Sequence, residues 1–385
     1  MVDQELALFH DTAPMLSISD LQCPLPAPEA LWMATSAGEW SSNAQKLYGC
    51  NNTVNPQMLS GPPISPSLCD LFQDFLHDNL GRRQATLTPM HLRLLLHPLQ
   101  SLLCHLRQML SCFSDVLSSR CPPSRAVTKA STQLRLEEVQ GLLQKWYELS
   151  MALYKSNPAC HITRCNLVLY HLISLNAVAN FPEIERLARR EAFDGSYWDL
   201  AVRHKRCVSS REESVFHSGQ VMRLVRTMPP SRRPSWWSAA VYRATLILWV
   251  DSVSRLDPNF QKGIQSSPAP APRPTPGKNE DDGTASSTGG SSPPIPSTNG
   301  EPVAIDQVTP EDASIIAYLW SGDGVAVLTR PDGTTVGLDK PAAVISYGVM
   351  AIDEGMSTRI GDGIKRKLVT LGNHWNVDGL GPVSG

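Results

Sequence analysis

The chain has 385 residues, of which 42% are hydrophobic and 18% charged, and its formal net charge is −2 at pH 7. These are ordinary globular values, and the length allows two or three domains with a sizeable buried core, so the chain as a whole is not disordered. A domain that grips nucleic acid usually has a strong basic excess. Because the chain has 34 Lys and Arg residues and 36 Asp and Glu residues, the composition disfavours direct DNA binding.

Residues 1–65 are predicted to be partly irregular, because Pro24, Pro26 and Pro28 precede a polar run at 51–55. The acidic start lacks the basic and apolar regions of a signal peptide, and no apolar run reaches the roughly 20 residues of a membrane-spanning helix. Nine cysteines, an odd number, are scattered along the chain, which indicates reduced, buried thiols in an intracellular protein. They are Cys23, Cys50, Cys69, Cys104, Cys112, Cys121, Cys160, Cys165 and Cys207.

A heptad repeat of apolar residues runs over 92–117, with spacings that alternate between four and three. Such a repeat is typical of a coiled-coil seam. A further seven-spaced apolar series begins at Leu95 beside it, and Pro98 is expected to kink or restart the helix. A wide apolar stripe belongs to a helix packed in a globular core, so we favour a core helix, with an intermolecular seam as the alternative. The repeat consists of Leu92, Leu96, Leu99, Leu103, Leu106, Leu110, Phe113 and Leu117.

Further helices are predicted as far as residue 261. Apolar faces recur from Val139 and from Cys165 at helical spacing. A helix restarts at Phe181-Pro182, with proline in the first turn where its missing N–H costs nothing. Another helix covers 211–228 and ends before Pro229-Pro230, and Pro234 opens the next. Residues 66–261 are therefore predicted to form one helical domain, and the fold class is all-α.

Residues 262–302 are rich in Pro, Ser and Gly and contain no aromatic residue. Because such a segment cannot bury enough apolar surface to offset its chain entropy, we predict a disordered linker. Its PxxP match at 293–296 is a pattern that plain Pro-rich linkers also reach by chance.

Residues 303–385 are predicted to pack on the helical domain as short helices and a β-hairpin. The β-prone runs 325–328 and 334–338 flank Asp332-Gly333, which is a good hairpin signal. Helices are expected over about 309–320, 342–354 and 358–371.

Motifs that carry chemistry are missing from the sequence. A zinc site needs closely spaced Cys and His pairs, yet there is no CxxC pair, and the nearest cluster, Cys160, His161 and Cys165, lies on a predicted core helix. No GxSxG, GxGxxG or GxxxxGK motif occurs. We therefore predict no catalytic, cofactor-binding or metal-binding residues, and a protein that is not an enzyme.

Two short basic clusters, at 203–206 and 365–367, could serve as weak nuclear import signals or phosphate contacts. In the second cluster, Ile364 and Leu368 share a helix face, so the charges should point to water. We favour a solvated helical face there.

Several segments, in this order and spacing, resemble one family. They are 5–12 with 21–26 and 30–32; 169–172 with Asn176, Phe181-Pro182 and 187–189; 236–240 with Tyr242 and Leu248-Trp249; and 363–368 with His374-Trp375. Together they resemble the regulatory (middle homology) region of fungal-specific transcription factors, in the subgroup with paired N-terminal Cys2His2 zinc fingers. The resemblance covers nearly the whole chain.

The resemblance implies an all-helical regulatory domain, nuclear location, transcriptional control and contacts with other transcription regulators or a DNA-bound partner, as a homo- or heterodimer. It carries over no catalytic residue, and zinc is implied only for the finger module, which this chain lacks. Either the sequence is truncated or the protein is a finger-less relative. We expect no specific DNA binding by this chain alone. The alternatives are a small-molecule-sensing helical module and an unrecognised enzyme.

Overall fold

The structure, a computed structural model, describes residues 1–17, 20–48, 66–80, 87–112, 123–191, 193, 196–256 and 300–377. They divide into an N-terminal unit, Met1–Ile173, and a C-terminal unit, Ser174–Gly385. Helices dominate both units, and a small three-stranded sheet lies in the second. The mainly helical fold predicted from the sequence is confirmed. The four-part division at residues 65, 261 and 302 stays a prediction.

The N-terminal unit is helical in the ranges that the structure describes. Its helices are α1 (Val2–His10), α2 (Glu29–Trp32), α3 (Ala37–Tyr48), α4 (Leu68–Leu76), α5 (Pro89–Ser111), α6 (Pro123–Ser156) and the first part of α7 (His161–Val178). Two of them begin at capping boxes, in which Ser67 pairs with Asp70 and Thr88 pairs with His91. The helices before residue 49 had no clear signal in the sequence, because prolines and polar residues separate them.

The core of the N-terminal unit forms where α5 packs on α6. Leu92, Leu96, Leu99 and Leu103 are each at most 1% exposed, and the Trp146 indole N–H of α6 donates to the carbonyl oxygen of Leu92 at 2.8 Å. The core interpretation of the heptad is thus confirmed for this stretch. The helix runs on through Pro98 rather than restarting there, and Phe113 and Leu117 lie outside the described residues.

The C-terminal unit combines helices from both sides of the predicted linker. Before it come the rest of α7, α8 (Phe181–Ala188), α9 (Tyr197–Cys207), α10 (Arg211–Arg226) and α11 (Trp237–Ser254). After it come β1 (Pro302–Ala304), α12 (Ala313–Ser321), β2 (Val325–Thr329), β3 (Thr335–Gly337), α13 (Pro341–Asp353) and α14 (Arg359–Val377). The predicted restart at α8 is confirmed, with the Asn180 side chain capping the helix.

Helix α11 is buried on nearly every side at the centre of this unit, in contact with α10, α13 and α14. Arg243, the charge that interrupts its apolar run, is 5% exposed, and its guanidinium lies 4.1 Å from the centre of the Phe181 ring. This cation–π contact gives the buried guanidinium a favourable partner inside the core. Within the described parts of the chain, no helix is long and apolar enough to cross a membrane.

The sheet has the order β1-β2-β3, and β2 and β3 form the predicted antiparallel hairpin. Gly333 takes a φ of 81° in its turn, a conformation that glycine adopts without steric cost. Strand β1 pairs with β2 in parallel through only three residues, which is too short a run for sequence periodicity to reveal.

Candidate interaction surfaces

The Arg226 side chain of α10 is the centre of a buried ion cluster in the C-terminal unit. Its Nη1 donates to the Tyr347 hydroxyl at 2.7 Å, the Thr329 carbonyl at 2.9 Å and Asp306 at 3.2 Å, and its Nε donates to Glu354 at 3.0 Å. Burial opposes the charge on Arg226, but Tyr347, Glu354 and Asp306 hold its pKa above the usual value. These groups hold one another in place through hydrogen bonds and ion pairs, although Glu354 Oε1 is buried without a hydrogen-bond partner. The cluster therefore has a structural role.

Part of the basic cluster at 203–206 is buried or paired within the fold. His204 is 5% exposed, and burial lowers its pKa, so it stays neutral at pH 7. Arg203 pairs with Asp199 at 2.9 Å. Only Lys205 and Arg206 are exposed, and two adjacent cations on one helix end are a weak phosphate contact.

Helix α14 carries the second basic cluster. Gly361, Leu368 and Leu371 are buried on its inner face. Lys365 pairs with Asp353 at 2.7 Å and with Asp362 at 3.1 Å. Lys367, on another flank, pairs with Glu185 at 2.9 Å. The charged side chains therefore point away from the core, as predicted. Both lysines, however, are neutralised through ion pairs with acids of the same unit.

Two arginines of α14 remain outside these pairs. Arg359 and Arg366 are exposed, and within the described residues neither makes an ion pair; the acids near them pair with Lys365. They border an open depression of about 810 Å³, which is also lined by Asp362, Lys365, Val369 and Thr370. We call Arg359, Arg366, Val369 and Thr370 the α14 outer face. The sequence analysis singled out Arg366 but missed Arg359. The seven-residue spacing between the two arginines was the signal that could have revealed Arg359.

A second exposed surface lies on α2 and α3 of the N-terminal unit. Trp32 is 73% exposed, Met33 69% and Trp40 52%. The two helices are joined by a hydrogen bond from the Asn43 side chain to the Ala30 carbonyl at 3.0 Å. Large apolar side chains exposed in this number mark interaction surfaces.

In the cysteine and histidine cluster, His161 and Cys165 lie on α7, and Cys165 is part of the core. Cys165 is buried, and burial raises the pKa of its thiol to about 11, so the thiol is protonated at pH 7 and is a poor nucleophile. Its Sγ lies 3.5 Å from His161 Nε2. No group of three or more His, Cys, Asp or Glu residues able to hold a metal occurs in the part of the chain that the structure describes.

The chain is similar to several fungal proteins named transcription factors. It is 43% identical over 383 residues to one from Zymoseptoria tritici, with 96% of this chain and 36% of that protein covered. It is 43% identical over 371 residues to Transcription factor 1 of Elsinoe fawcettii, covering 96% and 34%. Transcription factor PfmaH of Pestalotiopsis fici is 41% identical over 376 residues, covering 98% and 35%.

The chain thus spans about a third of the length of these curated relatives. No protein-family profile matches the chain, and no solved structure is similar to it.

Proposed function

We propose that this chain is a transcription-regulatory region that acts in the nucleus through contacts with other regulatory proteins. The observation that carries the proposal is the 41–43% identity to proteins named transcription factors along at least 96% of the chain. Identity of that extent and continuity indicates a common fold and a common role in transcription. The exposed aromatic residues on α2 and α3 support a role in protein contacts.

The finer assignment rests on the sequence resemblance described above. We propose that the chain corresponds to the middle homology region of a factor of the Cys2His2 subgroup, and that zinc belongs to a finger module outside these 385 residues. We propose no catalytic activity for this region, in keeping with the names of its relatives.

Deletion of the region from its gene, with the rest of the gene intact, tests the proposal. We expect changed transcript levels for a defined set of genes, and a fluorescent fusion of the full protein should accumulate in the nucleus. An unchanged transcript profile in the deletion strain would contradict the proposed role.

The purified chain is predicted not to select a DNA sequence. Specific recognition needs a rigid element in a groove with side chains that reach base edges. In the basic clusters of α9 and α14, moreover, Arg203, Lys365 and Lys367 are paired internally. Selection from a randomised duplex pool at about 0.15 M salt measures this. Enrichment of one sequence without an added partner would refute the prediction.

A further inference from the structure

We propose that the α14 outer face binds an acidic, partly apolar peptide segment of a protein partner. The inference deepens the proposed function, on which it rests, because it assigns a surface and a partner chemistry to regulation through protein contacts.

The first argument is the spacing of the free cations. Arg359 and Arg366 are seven residues apart in one helix, which places them about 10 Å apart along its axis at roughly 1.5 Å per residue. An extended peptide covers this distance in about three residues. A segment with carboxylates spaced by three or four residues can therefore reach both guanidinium groups. Each guanidinium can grip a carboxylate through two parallel hydrogen bonds.

The second argument is the distribution of charge around α14. Lys365 is held by Asp353 and Asp362, and Lys367 is held by Glu185 while its ammonium also lies 4.7 Å from the centre of the Tyr242 ring. These lysines fasten α14 to its neighbours. The two arginines form no such ion pair in the described residues, so a negatively charged partner would complement their charge.

The third argument separates a peptide from a nucleic acid. Val369, 48% exposed, extends the face beside Arg366, and an apolar side chain there favours a ligand with apolar groups. A phosphate backbone usually requires contacts with several cations, and within the described residues this face offers two arginines outside internal ion pairs. An acidic segment with interspersed apolar residues matches both features of the face.

The test uses the full 385-residue chain and a fluorescein-labelled peptide of repeated Asp-Asp-Leu units, with an Asn-Asn-Leu peptide as the uncharged counterpart. Fluorescence anisotropy at about 0.15 M salt reports affinity. We expect the acidic peptide to bind and the uncharged peptide to bind at least about tenfold more weakly. The double variant Arg359→Gln/Arg366→Gln should weaken binding of the acidic peptide about tenfold, since two charge-assisted contacts are lost.

A matched control removes the same charge elsewhere in the same unit. Lys205→Gln/Arg206→Gln changes two exposed cations of α9 and should alter affinity less than about twofold, because distant surface charges are screened. Asp362→Asn should tighten binding about twofold, since it removes a repelling carboxylate. A purely structural role of α14 would not produce this opposite sign.

Three outcomes would overturn the inference. The first is that the unmodified chain fails to bind the acidic peptide, and the second is that the α9 control weakens binding as much as the α14 variant does. The third is that the chain binds a randomised DNA duplex more tightly than the peptide and that Arg359→Gln/Arg366→Gln abolishes this DNA binding. If the peptide test fails while deletion of the region still changes transcript levels, only this inference falls. If transcript levels do not change, the proposed function falls whatever the peptide result.

Discussion

The Arg226 guanidinium shows how the surroundings of a residue decide its role. Its side chain is 14% exposed and faces Asp306, which is fully enclosed, with Glu354 on the other side. Asp306 also accepts hydrogen bonds from the Tyr347 hydroxyl at 2.6 Å and the Thr329 backbone N–H at 3.0 Å. A buried charge in such a network is stable only while its partners remain. Arg366, the same residue type on an exposed face, has no such constraint.

Replacement of Arg226 by methionine is expected to lower the free energy of unfolding by about 3–5 kcal/mol, because Asp306 would stay buried without its counter-ion. The matched control is Arg135→Met, which removes an arginine that is 68% exposed and paired with Glu138. That change should cost no more than about 0.5 kcal/mol. Urea unfolding followed by circular dichroism measures both, and equal effects would mean that the Arg226 cluster contributes little.

At the scale of elements, small residues let the helices of the C-terminal unit approach neighbouring segments closely. A Cβ atom added to Gly348 on α13 would lie 2.4 Å from the Thr245 Oγ1 of α11, and one added to Gly219 on α10 would lie 2.5 Å from the Ile305 carbonyl oxygen. Both distances are well inside van der Waals contact. Helix α13 was predicted at 342–354 and is observed at Pro341–Asp353. Its partner could not be predicted, because a periodic pattern defines an apolar face without naming what covers it.

Two glycine-to-alanine changes in this unit should therefore have opposite signs. Gly348→Ala should destabilise the protein by about 1–3 kcal/mol, because overpacking against Thr245 exceeds the gain in helix propensity. Gly363→Ala, on α14 with nothing within 4 Å of the added atom, should stabilise it by up to about 1 kcal/mol. Thermal unfolding measured by circular dichroism compares the two, and stabilisation by both changes would contradict the close packing of α13 on α11.

At the scale of the whole molecule, the C-terminal unit is assembled from two stretches of chain, 174–256 and 300–377. The second stretch supplies contacts that the first lacks: the Gln220 side chain donates to the Val308 carbonyl at 2.9 Å, and Tyr318 and Ile315 of α12 are buried. Short amphipathic helices such as α12 seldom persist alone. The post-linker stretch therefore belongs to the same core as α10 and α11.

A specific protease site inserted within 262–299 should leave the two products associated after cleavage. We expect them to elute together in size-exclusion chromatography and to separate only in denaturant. The same cut in a protein that carries Arg226→Met should release the C-terminal product more readily, because the ion cluster joins the two stretches. Separate elution of the products of the unmodified sequence would mean that they form independent domains.

The sequence by itself determined where most helices lie, because apolar periodicity, caps and proline positions are local signals. It also placed the hairpin through Asp332-Gly333 and located Lys365 and Arg366 on the outer side of a helix. Only the tertiary structure decided which charges stay free. Lys367 meets Glu185 across 182 positions of the chain, whereas Arg359 and Arg366 form no ion pair in the described residues. No local pattern encodes such a pairing. Ion pairs depend on how distant elements are packed, and that packing is a property of the folded chain alone.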